Sequence, residues 1–234
     1  MLSFILLLLL FTSNVFSDSC VSGNCEDGHG IKEFSNGDRY EGEFKKGIFE
    51  GEGIFFSNKG YKYIGKFKEG KRNGFGIWTK ENPIKPSGER ISVSEDLAVN
   101  KSIYYEGEWK NNKYEGNGKL IIKKNGKTKI YTGKFVNGKL NGQGKLETLS
   151  GKYSGVFKNS KLNGHGVFEK KNGESYIGNF LNTKFDGKGA YTFKNKDLYI
   201  GDFKDGKLHG RGRLFNSKHR VIQSGKWENG EFKN

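Results

Sequence analysis

A Tyr-x-Gly-x-aromatic unit returns seven times along the chain, and this periodicity limits the fold more than any other feature. The copies are Tyr40–Phe44, Tyr63–Phe67, Tyr105–Trp109, Tyr131–Phe135, Tyr153–Phe157, Tyr176–Phe180 and Tyr199–Phe203, followed by a worn copy, Gln223–Trp227. Successive starts lie 23, 42, 26, 22, 23, 23 and 24 residues apart. Eleven residues after each tyrosine stands a Gly-x-Gly pair, from Gly51/Gly53 to Gly210/Gly212, and an eighth pair, Gly28/Gly30, precedes the first tyrosine. A large apolar residue follows each later pair (Phe55, Trp78, Leu120, Leu146, Phe168, Tyr191, Leu214), whereas Lys32 follows the eighth. A period of this length marks a repeat architecture.

The spacing predicts one β-hairpin per repeat. In an extended strand Tyr, Gly and the aromatic share one face, as do Gly, Gly and the apolar residue in the next strand. Glycine leaves bare backbone on which a neighbouring ring can lie. Asn137-Gly138 and Asp205-Gly206 suit tight turns with positive φ. Asn112, Ser160 and Thr183 stand in place of that glycine in three repeats, and a different turn is expected there. A lone hairpin is barely stable in water, so the hairpins must stack and bury one another's rings. The expected fold class is all-β: an elongated, twisted antiparallel sheet of stacked hairpins, a solenoid advancing about 10 Å per hairpin.

Composition fits this lattice. Only 33% of residues are hydrophobic and the net charge is +15, a combination usual in disordered chains. The 19 Phe, 11 Tyr and 3 Trp argue against disorder, and 34 of the 36 glycines fall at repeat positions. Two prolines cannot supply a collagen lattice. A mean hydropathy of -0.76 excludes a polytopic membrane protein.

The chain divides into three parts. Residues 1–17 carry no charged side chain, and Leu2–Phe11 is apolar but for Ser3. That stretch is shorter than the about 20 residues a bilayer requires and suits a secretory signal cleaved before Asp18. An uncleaved anchor and a buried strand are the alternatives. Residues 18–25 read as a short linker holding Cys20 and Cys25, a disulfide candidate in an oxidising compartment. A lipid on Cys20 is the competing reading. Residues 26–234 form the repeat domain, whose one long interval holds an insertion at about 82–103 with both prolines, Pro83 and Pro86. It reads equally as a functional loop and as a tolerated excursion. Asn100-Lys-Ser102 is a glycosylation sequon, relevant only in a eukaryotic secretory host.

The consensus Tyr-Glu-Gly-Glu-Phe/Trp-Lys-x-Gly-Lys-x-x-Gly-x-Gly, seen at Tyr105–Gly118 and Tyr199–Gly212, resembles the MORN (membrane occupation and recognition nexus) repeat. The resemblance runs from about Glu26 to the carboxyl end, interrupted once. It implies a non-catalytic module for membrane attachment through anionic lipid head groups or for protein scaffolding, in a family some of whose members pair through terminal repeats. With the apolar leader and the cysteine pair, the chain looks like an exported, bacterial cell-envelope member, in the periplasm or on the outer surface.

No catalytic constellation emerges, and the chain is expected not to be an enzyme. The Gly-x-Gly pairs lack the third glycine and the βαβ unit of a dinucleotide site, so no cofactor is expected. His29, His165, His209 and His219 lie in different repeats, and no metal set is expected. His209 occupies a place where the resemblance puts a surface histidine. Glu41 and Glu106 are expected to pair with nearby lysines. Lys71, Lys113, Lys139, Lys161, Lys184 and Lys207 follow the hairpin turn at one repeat position, and stacking would align them along a rim. Such a rim suits anionic lipid or an acidic polymer, and equally suits solubility and blocking of edge pairing. A protein partner or anionic lipid head groups are therefore expected, and nucleic acid is not. The half repeats at the two ends would leave strand edges open to end-to-end pairing between copies.

Overall fold

The computed structural model describes residues 17–80 and 101–233. Apart from Ser17 the expected leader lies outside them, as does the insertion up to Asn100. Eighteen strands follow one another: β1 (Ser19–Gly23), β2 (Gly28–Glu33), β3 (Arg39–Lys45), β4 (Ile48–Phe56), β5 (Tyr61–Lys68), β6 (Lys71–Lys80), β7 (Lys101–Lys110), β8 (Lys113–Lys124) and β9 (Lys127–Val136). The second half comprises β10 (Lys139–Thr148), β11 (Gly151–Lys158), β12 (Lys161–Glu169), β13 (Ser175–Leu181), β14 (Lys184–Thr192), β15 (Leu198–Lys204), β16 (Lys207–Phe215), β17 (Val221–Glu228) and β18 (Glu231–Lys233). Each pairs antiparallel with the next, giving one open meander. The expected all-β sheet of stacked hairpins is the architecture found.

A two-residue turn closes each of the eight hairpins that begin at β3, β5 and so on to β17. Its first residue has φ between 50° and 54° and its second between 63° and 96°, the geometry that matches the twist of two paired strands. The turns holding Asn112, Ser160 and Thr183 do not differ from the rest, with φ of 66°, 63° and 69°. The reason lies in the preceding repeat. From the second hairpin onward the second turn residue donates its N–H to a carbonyl of the strand before the hairpin, as Gly70 does to Phe49 (2.9 Å) and Ser160 to Leu140 (2.8 Å). Ser160 Oγ and Thr183 Oγ1 add a second bond, accepting from Leu140 N (3.0 Å) and Leu162 N (2.9 Å). Asn112 Oδ1 accepts from Arg72 N in the same way (2.9 Å). This extra hydrogen bond offsets the steric cost of a side chain at positive φ.

Past each turn from β3–β4 to β15–β16 the register slips. Phe44 faces Phe49, yet Gly42 faces Gly53, so the second strand carries two extra residues in a bulge. The first glycine of each of the seven pairs from Gly51/Gly53 to Gly210/Gly212 sits in that bulge with φ between 56° and 93°, where an L side chain is strained. The second glycine answers a different need. A Cβ on Gly53 would stand 2.6 Å from ring carbons of Tyr40, which lies flat on the bare backbone. The bulge also frees a carbonyl for the buried phenol: Tyr40 donates to Glu43 O (3.0 Å), Tyr105 to Glu108 O (2.9 Å) and Tyr176 to Asn179 O (2.8 Å). Burial pushes the Tyr176 and Tyr199 phenols up to about 12.

The core is a single layer of rings on one face of the sheet. Tyr40 is fully buried, edge-on to Phe44 of its own repeat and to Phe67 of the next, each at 5.1 Å, and stacked on Phe49 at 3.8 Å. Tyr176 repeats the arrangement with Phe180, Phe203 and Phe185. Because rings such as Tyr40, Tyr63, Tyr105, Tyr176 and Tyr199 each touch a ring of the next repeat, those hairpins do not bury their aromatic surface alone. Two repeats depart from this pattern. Leu140 and Leu162, both 0% exposed, fill the cleft over Gly144 and Gly166, and Tyr131 and Tyr153 are only half-buried.

At the amino end the structure corrects one expectation. Residues 18–25 are not a linker outside the sheet: β1 pairs with β2 from Ser19 opposite Glu33 to Gly23 opposite Gly30. Cys20, on β1, is bonded to Cys25 at a Cα–Cα distance of 5.9 Å. The edge of the first half repeat is thus covered, and the short β18 covers that of β17. Lys101–Ile103, counted with the insertion on spacing, open β7 instead.

Candidate functional site

The alternation that buries the rings turns every intervening residue to the opposite, open face. In β3 Tyr40, Gly42 and Phe44 are buried while Glu43 and Lys45 are exposed, and the same beat runs through β5, β7 and β13. Since strand partners are in register, the open-face residues line up in rows that cross the sheet.

The outermost row is the lysine rim. Lys71, Lys113, Lys139, Lys161, Lys184 and Lys207 each open a strand next to its turn and are exposed. The structure doubles the rim. Lys68, Lys110, Lys158 and Lys204 stand directly opposite Lys71, Lys113, Lys161 and Lys207 across their hairpins. Like charges so placed oppose folding. Lys184 is neutralised instead, at 2.9 Å from Asp205 of the next turn. That hydrogen bond raises the lysine's pKa and lowers the carboxylate's. Lys113 donates to Asn137 Oδ1 at 3.3 Å.

Further from the turns runs a row made by the residue after each repeat tyrosine and its strand partners. From β2 to β17 it reads Ile31, Glu41, Ile54, Ile64, Ile77, Glu106, Lys119, Thr132, Lys145, Ser154, Val167, Ile177, Ala190, Ile200, Arg213, Ser224. It holds two apolar runs, Ile54–Ile64–Ile77 and Val167–Ile177–Ala190–Ile200. Ile64, Ile177 and Ile200 are 41%, 52% and 48% exposed. The first run is closed at both ends by glutamates, Glu41 and Glu106; Arg213 follows the second.

Charge is divided in the same sense. Residues 17–80 hold 11 Lys and Arg against 10 Asp and Glu, whereas residues 101–234 hold 28 against 12. The chain's net positive charge therefore lies after the insertion. On the open face of β15–β17 lies a cleft of about 900 Å³, where Arg211, Arg213 and Lys226 surround Ile200, Phe215 and the bare backbone of Gly212 and Gly225.

Several carboxylate and amide side chains serve the frame. Glu115, Asn141, Asn163 and Glu50, each just before a Gly-x-Gly, accept the first turn N–H of the following repeat (Asn137, Asn159, Asn182 and Glu69, at 2.9–3.2 Å). These inter-repeat caps were legible as a recurrent Glu or Asn at that place, yet spacing alone did not assign them a role. Glu41 meets Arg39 at 3.4 Å, not a lysine, and Glu106 accepts from Tyr104 Oη at 2.9 Å. Glu174 accepts from Lys170, Asn172 and Tyr191, which hold its carboxyl down at about 2. Where other repeats place an aromatic or leucine against the tyrosine, the second repeat uses Arg72. Its guanidinium lies 4.5 Å from the Trp109 ring and donates to Asn112 O. Among the described residues no three His, Cys, Asp or Glu side chains are grouped to hold a metal ion.

The MORN repeat model matches residues 26–39, 40–61, 63–82, 105–127, 131–148, 153–175, 176–198 and 199–219. No curated protein matches the chain.

Proposed function

The chain belongs to the MORN repeat family, and from that premise we propose that it is a non-catalytic scaffold, exported to the cell surface or envelope, that binds a protein partner through its open face. The observation carrying this reading is the exposed row on that face, with Ile177 and Ile200 about half exposed in the middle of a sheet whose other face is filled by rings. Apolar side chains so placed add nothing to the core and fit a contact surface. The non-catalytic reading is supported by the employment of Glu50, Glu115 and Glu174 as caps and turn clasps. Export is supported by the apolar leader and by the Cys20–Cys25 bond, which suits an oxidising compartment.

Photo-crosslinking in the native host tests the scaffold reading. Ile177→benzoylphenylalanine is expected to trap a discrete partner, and the same probe at the exposed Leu149, in the turn between β10 and β11, is not. Equal patterns at both positions would overturn the reading.

A second reading, peripheral attachment to anionic membrane, is favoured by the four facing lysine pairs. Each lysine near such a surface contributes about 1 kcal/mol. Flotation with vesicles containing phosphatidylserine should then rise with the anionic fraction, fall with salt, and be lost on Lys110→Glu/Lys113→Glu. Flotation indifferent to all three would exclude it.

A further inference from the structure

The two apolar runs on the open face have the same shape and opposite settings, and the contrast identifies what the second one takes. Ile54–Ile64–Ile77 lies between Glu41 and Glu106, with Glu52 and Lys66 facing one another beside it. Val167–Ile177–Ala190–Ile200 leads into Arg213, and the adjacent row toward the turns holds His165, Asn179, Lys188, Asp202, Arg211 and Lys226. Asp202, the carboxylate in that group, is turned to the frame, accepting from Arg211 N at 3.1 Å. On the side away from the turns the row is bordered by Glu169, Ser175, Thr192, Leu198 and Phe215.

We propose that the open face of β12–β17 is a docking track for an extended acidic segment of a partner protein. Apolar side chains of that segment lie along Val167–Ile200, and its carboxylates meet Arg211, Arg213 and Lys226. This rests on the scaffold reading and names the partner's chemistry. The apolar track is one residue wide from Val167 to Ala190, widens only to Leu198 and Phe215 beside Ile200, and has a polar row along its whole side toward the turns, which fits a single extended chain and not the broad plane of a bilayer. Strands about 4.8 Å apart make the track from Val167 to Ser224 about 24 Å long, and a nine-residue extended segment spans about 30 Å. Order matters along it: the apolar part must precede the acidic part from β12 toward β17. Charge selects the partner by steering and by excluding basic segments, and the apolar contacts supply holding power.

The test uses the chain from Asp18 and a labelled peptide, Ile-Ser-Val-Ser-Ile-Ser-Asp-Ser-Asp, read by fluorescence anisotropy. Versions with lysine for aspartate, and with the apolar and acidic residues interleaved, are the controls. Binding of the first peptide alone is expected, weakened about tenfold or more by Arg213→Glu and by Ile200→Asp and unchanged by Lys71→Glu. Unchanged far-ultraviolet dichroism and melting keep the two damaging variants interpretable. Equal binding of all three peptides, or binding indifferent to Arg213→Glu and Ile200→Asp, would overturn the proposal. So would Arg213→Glu abolishing flotation on phosphatidylserine vesicles while peptide binding persists, which would give the cleft to lipid. The scaffold reading stands or falls separately, on the crosslink at Ile177.

Discussion

The repeats before the insertion and those after it are built on one lattice and dressed for different neighbours. Tyr40 over Gly53 and Tyr176 over Gly189 have the same burial, the same edge-on partners and the same phenol hydrogen bond. Their charge diverges: residues 17–80 are nearly balanced, whereas residues 101–234 carry an excess of 16 positive side chains. The lattice residues are interlocked with the next repeat and cannot drift. The intervening residues touch little and are free to specialise. In this fold, then, the least constrained positions are where a partner is chosen.

The largest expected effect tests the shared lattice. Gly53→Val and Gly189→Val each drive a branched side chain into a fully buried tyrosine ring, and each should cost about 3 kcal/mol or more in urea unfolding. A cost below about 1 kcal/mol in one half alone would break the equivalence. Next comes the difference between the open faces. Glu41→Lys with Glu52→Lys should bring the acidic peptide onto the Ile54–Ile77 run, within about tenfold of its affinity for the second track. No gain there would mean that charge does not distinguish the two runs.

A smaller effect concerns the ends. Cys20→Ser with Cys25→Ser should loosen β1 by about 2 kcal/mol, because the closed loop is short. Hydrogen exchange should then quicken in β1 and β2 and stay unchanged from β5 onward, since each strand contacts only its neighbours. Faster exchange throughout would show that the cap holds the whole stack. The smallest effect is at the turn before β13. Glu174 titrates at about 2 when folded against 4.5 ordinarily. Its folded pKa is depressed, so its contribution is complete above about pH 5 and is lost as pH falls from 4.5 through 2. Carboxyl carbon shifts should place its midpoint near 2, and a midpoint near 4.5 would mean the clasp with Lys170, Asn172 and Tyr191 is open in solution.

Much of the frame was readable in the chain. Hairpins, their stacking, the ring face and the lysine rim all follow from the places of Tyr, Gly and Lys, because each reports a backbone or packing need that recurs locally. The turns at Asn112, Ser160 and Thr183 were not readable, since what holds them is a hydrogen bond to the repeat before. Nor was the switch of Leu140 and Leu162 into the cleft: Leu208 occupies the same repeat position, yet there Tyr199 keeps its place, fully buried. The strand at Ser19–Gly23 carries no repeat motif and gains its structure only by pairing with β2.

The period alone settles that this chain is a hairpin stack with rings on one side, because a two-residue alternation and bare glycine backbone leave no other way to bury so many aromatics. Which open-face residues become neighbours is settled by strand register. Ile177 and Ile200 are a full repeat apart in the chain and join through Ala190 into one track. Arg213 completes it from the next strand. Hydrogen bonding across strands sets that register, and it links residues that no local pattern connects.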